Sequence, residues 1–214
     1  MAATGLFLMG FVVAHLLGNL QIFLGPDQLN DYSEHLEELP ILLWPVRIFL
    51  LLTLSTHVIT GLRLAMQNKS ARPMGYAAQD TVQATLASRT MVLTGLTVFS
   101  FIVYHLLHFT WGVVHPQFSH LTDAKGRDDV YSMVVLSFRQ APIAAAYVAA
   151  MFVLSAHLRH GAASFPQSLG WIQPGCERKA RALGAIFGWL VFAGYASIPA
   201  ACWLGWLKPL QGGG

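Results

Sequence analysis

The chain has 214 residues, of which 55% are apolar and 11% charged, and its formal net charge is +3. A soluble domain normally has about a quarter of its residues charged, so this composition excludes an ordinary soluble protein and indicates a helical membrane protein. The sequence contains no basic run interleaved with aromatic residues, which argues against a nucleic-acid partner.

Five apolar segments are each long enough to cross a bilayer, which takes about 20 residues. They are residues 4–24, 42–66, 91–114, 138–159 and 182–206. We therefore predict an all-α membrane protein with five transmembrane helices, in a single domain over residues 1–214, whose first four helices form a bundle. Residues 25–41 open with a Gly–Pro turn and predict a short acidic amphipathic helix between the first two spans.

Basic residues are unevenly divided between the two sides that these spans define. One side has Arg63, Lys69, Arg72, Arg89, Arg159, Arg178, Lys179 and Arg181; the other has Arg47, Lys125, Arg127, Arg139 and Lys208. Because cytoplasmic loops carry the excess of Lys and Arg, we expect the N-terminus and the loops 67–90 and 160–181 in the cytoplasm. Five spans then leave the C-terminus outside.

Each of the first four spans contains an interior histidine, which is costly in a membrane and usually serves a site or a pathway. The predicted topology sorts these histidines by depth into an outer pair, His15 with His105, and an inner pair, His57 with His157. Paired neutral imidazoles on facing helices suit haem iron. Two axial ligands leave no open position on the iron, so this arrangement predicts electron transfer at two stacked haems.

Other residues fit a haem site, although each also has a structural interpretation. Gly18, Gly61 and Gly161 follow their histidines by one turn and would let a flat macrocycle approach the backbone, or would serve helix packing. Any haem would be held non-covalently, because the sequence has no CxxCH motif. Candidate partners for haem propionates, which could instead be interfacial anchors, are Arg63, Arg89 and Arg159 inside and Arg47 and Arg139 outside.

Several alternatives remain at this point. His108 competes with His105, because Gly112 follows His108 by four residues. A zinc site is disfavoured because depth separates the histidines into pairs and no Cys or acid joins them. A proton relay would normally include a buried Asp or Glu, and the five predicted spans contain none.

Four segments together resemble the cytochrome b subunit of succinate:quinone oxidoreductases (succinate dehydrogenase/fumarate reductase), of the single-subunit, five-helix, dihaem b558 type. They are TGLFLMGFVVAHLLGNLQIF, THVITGLRL, ASRTM with VYHLLHF, and SAHLRHG. The family pairs ligands from its first and third helices and from its second and fourth. The resemblance thus implies His15 with His105 at a distal haem and His57 with His157 at a proximal one. The family's span-three ligand follows an aromatic residue, which favours His105, after Tyr104, over His108.

The resemblance also implies a function and partners. Two haems b would pass electrons between an iron–sulfur subunit and quinone, typically menaquinone, in the bacterial inner membrane. A flavoprotein subunit would carry the succinate or fumarate site, and it and the iron–sulfur subunit would dock on the cytoplasmic side. A higher oligomer of the complex is possible. Ser155 departs from the Glu that some fumarate reductases have two residues before the span-four ligand.

By analogy, Glu37 and Glu38 are candidate acceptors of quinol protons, with the polar face of an interfacial helix as their structural interpretation. Two other functional classes compete with the resemblance. One is the dihaem cytochrome b subunit of a hydrogenase or formate dehydrogenase, whose partner docks outside. The other is a haem-free assembly anchor or a transporter, although the inverted repeats typical of transporters are not evident. The hairpin pattern is weakly doubled, since each hairpin supplies two histidines.

Overall fold

The computed structural model describes residues 1–70, 90–171, 173 and 175–210, without the side chain of Lys69. This part of the chain is predominantly helical, and its one β-type pairing is an isolated bridge between Thr122 and Asp128. The helices are α1 (Ala2–Leu20), α2 (Pro26–Glu37), α3 (Pro40–Ser70), α4 (Met91–His105), α5 (Val130–Phe138), α6 (Ala141–Ser168) and α7 (Glu177–Trp203). The predicted acidic helix between the first two spans is α2.

Five helical segments are long and apolar enough to cross a membrane: Ala2–Leu24, Pro40–Asn68, Met91–Thr110, Ala141–Ser168 and Glu177–Trp203. The predicted class, an all-α membrane protein with five spanning helices, is confirmed. The third span is shorter than predicted, because a π-helical turn, Leu106–Thr110, ends the helix and Gly112 adopts a φ of 63°. The fourth begins at Ala141 because the apolar residues before it form the separate helix α5.

The first four spans form a ring in which neighbours along the ring pack together. The packed pairs are α1 with α3, α3 with α4, α4 with α6, and α6 with α1. Consequently α1 lies diagonally across from α4, and α3 lies across from α6. The fifth span, α7, packs outside this ring against α6 and α1.

Small residues bring α6 and α7 close together. A Cβ atom at Gly184 would lie 2.5 Å from the carbonyl oxygen of Arg159, and one at Gly188 would lie 2.8 Å from the carbonyl oxygen of Ser155. The Ser155 hydroxyl donates to the carbonyl of Gly188 at 2.8 Å. Such close backbone approach is the usual way in which spans pack in lipid. Ser155 therefore helps to join two helices.

We call the end of the ring that is covered by α2 and α5 the capped end. Asn30 of α2 is fully buried there, and its side chain accepts from the backbone N–H of Tyr131 at 2.9 Å and donates to Asp129 at 3.1 Å. Arg127, whose side chain is 6% exposed, forms ion pairs with Asp27 at 2.8 Å and with Asp31 and Asp123. These contacts fasten α2 to the segment before α5.

Replacing Arg127 by Ala is expected to lower the melting temperature by several degrees. The Asp123 carboxylate, which is 3% exposed, would then lose its cation, and breaking a desolvated pair leaves the remaining charge uncompensated. The matched control is Lys125→Ala, which should change the melting temperature little, because Lys125 is 57% exposed and pairs with Asp27 alone among the described residues. Equal melting temperatures for wild type and Arg127→Ala would contradict this role for Arg127.

Acid should weaken the same contact. The Arg127 guanidinium holds the pKa of Asp123 well below its usual range. A depressed carboxyl pKa contributes stability above its unfolded value, near 4, and that contribution is lost as the pH falls toward the folded value. The difference in melting temperature between wild type and Arg127→Ala should therefore shrink below about pH 4.

Candidate functional site

The two histidine pairs predicted from depth are the pairs that the structure brings together. The rings of His57 on α3 and His157 on α6 have their centres 6.5 Å apart. The rings of His15 on α1 and His105 on α4 have their centres 5.9 Å apart. Each pair lies across a diagonal of the four-helix ring, and all four side chains are partly buried. The pair nearer the capped end is His15 with His105.

The spacing within each pair fits a metal held from both sides. Two imidazoles that bind one metal from opposite sides, through metal–nitrogen bonds of about 2 Å, have ring centres roughly 6 Å apart. Both observed distances are close to this value. No group of three or more His, Cys, Asp or Glu side chains suited to a metal occurs among the described residues. Each level offers a pair of imidazoles, which is the donor set that a bis-histidine haem would use.

The two pairs lie at different levels along the bundle. Thr4, which contacts His57, precedes His15 by eleven residues, and Thr94, which contacts His157, precedes His105 by the same interval. At 1.5 Å per residue the two levels are about 16 Å apart along the helix axes. The pairs thus form two separate sites, stacked along the bundle.

Aromatic side chains pack around the pair at the capped end. Phe11 stacks on His15 with ring centres 5.4 Å apart, and Phe101 lies 5.9 Å from His105 in the equivalent place one turn before the histidine. Asn19 donates to the backbone carbonyl of His15 at 2.8 Å. These contacts hold the two rings in place from their own helices.

His108, the sequence-level rival of His105, points elsewhere. It is 2% exposed, its Nδ1 lies 2.9 Å from the Tyr147 hydroxyl, and its ring lies 5.3 Å from that of His115. Its Nε2 has no hydrogen-bond partner in the described part of the chain. The π-helical turn carries His108, whereas His105 ends the regular helix and lies against His15. The structure thus favours His105 for the paired site.

The predicted glycines have three different surroundings. At Gly161 a Cβ atom would meet nothing within 4 Å, which leaves room for a flat ligand one turn from His157. At Gly61 the Cβ would lie 3.4 Å from the Met1 side chain. At Gly18 it would lie 2.7 Å from the Tyr32 hydroxyl, so the space beside Gly18 accommodates that tyrosine.

The charged candidates lie on the surface of the bundle. Arg47, Arg63, Arg139 and Arg159 are exposed, and Arg47 lies over the Trp44 ring at 5.4 Å. Arg89 lies outside the described residues. Glu37 and Glu38 are exposed at the C-terminal end of α2. Partial desolvation, with the charge of Asp128, raises the pKa of Glu37.

Two Thr–Gly pairs are part of the site but were missed by the sequence reasoning. The hydroxyl of Thr4 lies 3.1 Å from Nδ1 of His57, and that of Thr94 lies 3.2 Å from Nδ1 of His157. A Cβ at Gly5 would lie 3.4 Å from Cε1 of His57, and a Cβ at Gly95 would lie 3.2 Å from Cε1 of His157. Each imidazole therefore rests against a glycine on the neighbouring helix.

An internal repeat in the sequence could have identified these pairs. Residues 4–17, TGLFLMGFVVAHLL, and residues 94–107, TGLTVFSFIVYHLL, are identical at eight of fourteen positions, including the Thr, the Gly and the His. In the second helices the shared residues are sparser: Ser, His and Gly recur at 55, 57 and 61 and at 155, 157 and 161. The weak doubling of the hairpins is thus much clearer in the first helix of each hairpin.

Comparisons with known proteins identify no relative: no family model, curated protein or solved structure matches the chain. The fold and the site define its class as an all-α protein with five apolar helices long enough to cross a membrane and with two levels of paired histidines.

Proposed function

We propose that this chain is the membrane-anchor cytochrome b subunit of a succinate:quinone oxidoreductase and that it binds two haems b. The observation that carries the proposal is the stacking of two imidazole pairs, each on diagonally opposed helices, at ring-centre distances of 5.9 and 6.5 Å. His15 and His105 would hold the haem nearer the capped end, and His57 and His157 the other. Bound haem iron supplies reversible one-electron transfer.

In this function the protein itself would hold the haems in place and exclude small molecules from their iron. If haem is bound, two imidazoles at each level would hold its iron, and small molecules such as oxygen would then find no open coordination site. The surrounding helices keep the rings in partly buried positions within the bundle. Two levels about 16 Å apart along the helix axes provide a path between the two ends of the bundle.

The proposal includes an orientation and partners. The positive-inside rule favours the cytoplasm for the end opposite the capped end, where a flavoprotein subunit and an iron–sulfur subunit would dock. Quinone, menaquinone in the family that the sequence resembles, would react near the capped end. Glu37 would accept quinol protons there, which its raised pKa supports. The membrane would be a bacterial inner membrane, with the C-terminus outside.

The test is to purify the complex from its native membrane through a tag on this chain and to follow haem absorption while electron donors are added. Succinate should reduce the haems, or fumarate should oxidise them after chemical reduction. His57→Ala should weaken this response, because it removes a ligand from the path. Haems that respond to hydrogen or to formate, and not to succinate or fumarate, would assign the chain to the other quinone-linked class and contradict the proposal.

A further inference from the structure

Two threonines lie beside the pair of histidines far from the capped end and are not among the residues that would bind iron. We infer that Thr4 and Thr94 are positioning residues: each hydroxyl accepts a hydrogen bond from Nδ1–H of one histidine and so leaves that histidine's Nε2 free to bind iron. This inference rests on the proposed function. It concerns the pair formed by His57 and His157.

Each threonine hydroxyl lies within hydrogen-bond distance of a backbone carbonyl of its own helix. The Thr4 hydroxyl donates to the carbonyl of Met1 at 2.9 Å, and the Thr94 hydroxyl lies 3.1 Å from the carbonyls of both Thr90 and Met91. A hydroxyl has a single proton to donate. Because a backbone carbonyl can only accept, each threonine proton has an acceptor on its own helix, and the hydroxyl oxygen stays free to accept from the ring.

Each threonine hydroxyl also lies within hydrogen-bond distance of a histidine ring nitrogen. Thr4 lies 3.1 Å from Nδ1 of His57, and Thr94 lies 3.2 Å from Nδ1 of His157. With the hydroxyl proton on a helix carbonyl, the bond to the ring forms with Nδ1–H as the donor, and this is the arrangement that we infer. A neutral imidazole with its proton on Nδ1 has an unprotonated Nε2, which is the form that binds a metal.

The third step is that the same arrangement occurs twice. In each hairpin the Thr is on the first helix, the His is on the second, and a Gly directly after the Thr lets the ring lie close, at 3.4 Å for Gly5 and 3.2 Å for Gly95. Metal-binding histidines are commonly fixed in this way by a partner on the other ring nitrogen. Two occurrences on separate helices argue against an incidental contact.

At the other pair the ring contacts are longer and come from side chains other than threonine. His105 has its Nδ1 3.5 Å from the Tyr147 hydroxyl, and the His15 ring lies 3.4 Å from the Asn19 amide of its own helix. Thr4 and Thr94 should therefore act on one haem and not on the other. When a threonine hydroxyl accepts a hydrogen bond from Nδ1–H, the imidazole becomes a stronger ligand and favours ferric iron. Losing that bond should therefore raise the reduction potential of this haem alone.

The test compares Thr94→Val with Thr94→Ser and with a matched control, Thr97→Val, in the full-length haem-loaded protein. Thr97 is one turn further along the same helix, and its hydroxyl donates to the carbonyl of Leu93. Potentiometric titration should show one haem shifted to a higher potential in Thr94→Val, wild-type potentials in Thr94→Ser, and no shift in Thr97→Val. Unchanged potentials in Thr94→Val would overturn the inference.

Histidine-selective ¹⁵N NMR of the wild-type protein gives a second readout that does not depend on enzyme activity. His157 should show a protonated Nδ1, in the reduced haem-loaded protein and in the full chain without haem. A protonated Nε2 would overturn the inference. If Thr94→Val loses a haem, retention in Thr94→Ser supports the role of the hydroxyl, and loss there as well overturns it.

The proposed function fails by a different result, namely a wild-type chain without two haems. The NMR measurement on the haem-free chain would still report the ring tautomer in that case, so failure of the inference and failure of the proposed function are distinguishable.

Discussion

Replacing His157 by Ala is expected to reduce the haem content from two per chain to one. The iron between His57 and His157 would lose one of its two axial ligands, and the structure offers no other imidazole paired with His57 among the described residues. The pair at the capped end lies about 16 Å away along the helix axes and should keep its haem. The measurement is the haem-to-protein ratio, with a reduced-minus-oxidised spectrum.

A matched control is available on the same helix. His160 lies one turn beyond His157, and His160→Ala should retain both haems. His57→Ala should reproduce the loss seen in His157→Ala, because each removes one ligand of the same pair. Retention of two haems in His157→Ala, or loss in the control, would show that the site is not held by the predicted pair.

Replacing His105 or His108 by Ala is expected to affect haem content differently. His105→Ala should lose the haem nearer the capped end, because the His105 ring is the one that lies 5.9 Å from that of His15. His108→Ala should retain both haems, because His108 lies against Tyr147 and His115. Removing His108 should cost stability instead, since the Tyr147 hydroxyl would lose a buried hydrogen bond.

Haem content and melting temperature, measured on both variants, test this assignment. The opposite pattern, with haem lost in His108→Ala and retained in His105→Ala, would move the ligand by one turn. It would also require the π-helical turn Leu106–Thr110 to be arranged differently, since that turn carries His108.

The fold class and the histidine pairing could be predicted from the sequence because both follow from simple quantities. Hydropathy and length place the spans, and alternating direction then gives each histidine a depth. His15 and His105 match in depth, as do His57 and His157, and the structure places each pair together. Their role as haem ligands remains a prediction.

Features that depend on side-chain geometry could not be predicted in this way. Residues 130–137 lie in a predicted connection, and only the structure shows that residues 130–138 form the separate helix α5, capped by the Asp129 side chain. Arg127 forms ion pairs with Asp27 and Asp31, about a hundred positions away in the sequence, and a count of charged residues cannot predict such contacts. The role of Thr4 and Thr94 could not be predicted either, because it depends on the histidine that each threonine contacts on the neighbouring helix.

The most direct test of the central claim is the haem content of the wild-type protein, with its absorption spectrum when reduced and after carbon monoxide is added. We predict two b-type haems per chain, both six-coordinate and unaffected by carbon monoxide, because two imidazoles would bind the iron at each level. A colourless protein, a ratio of one, or a reduced form that binds carbon monoxide would contradict the paired-histidine account.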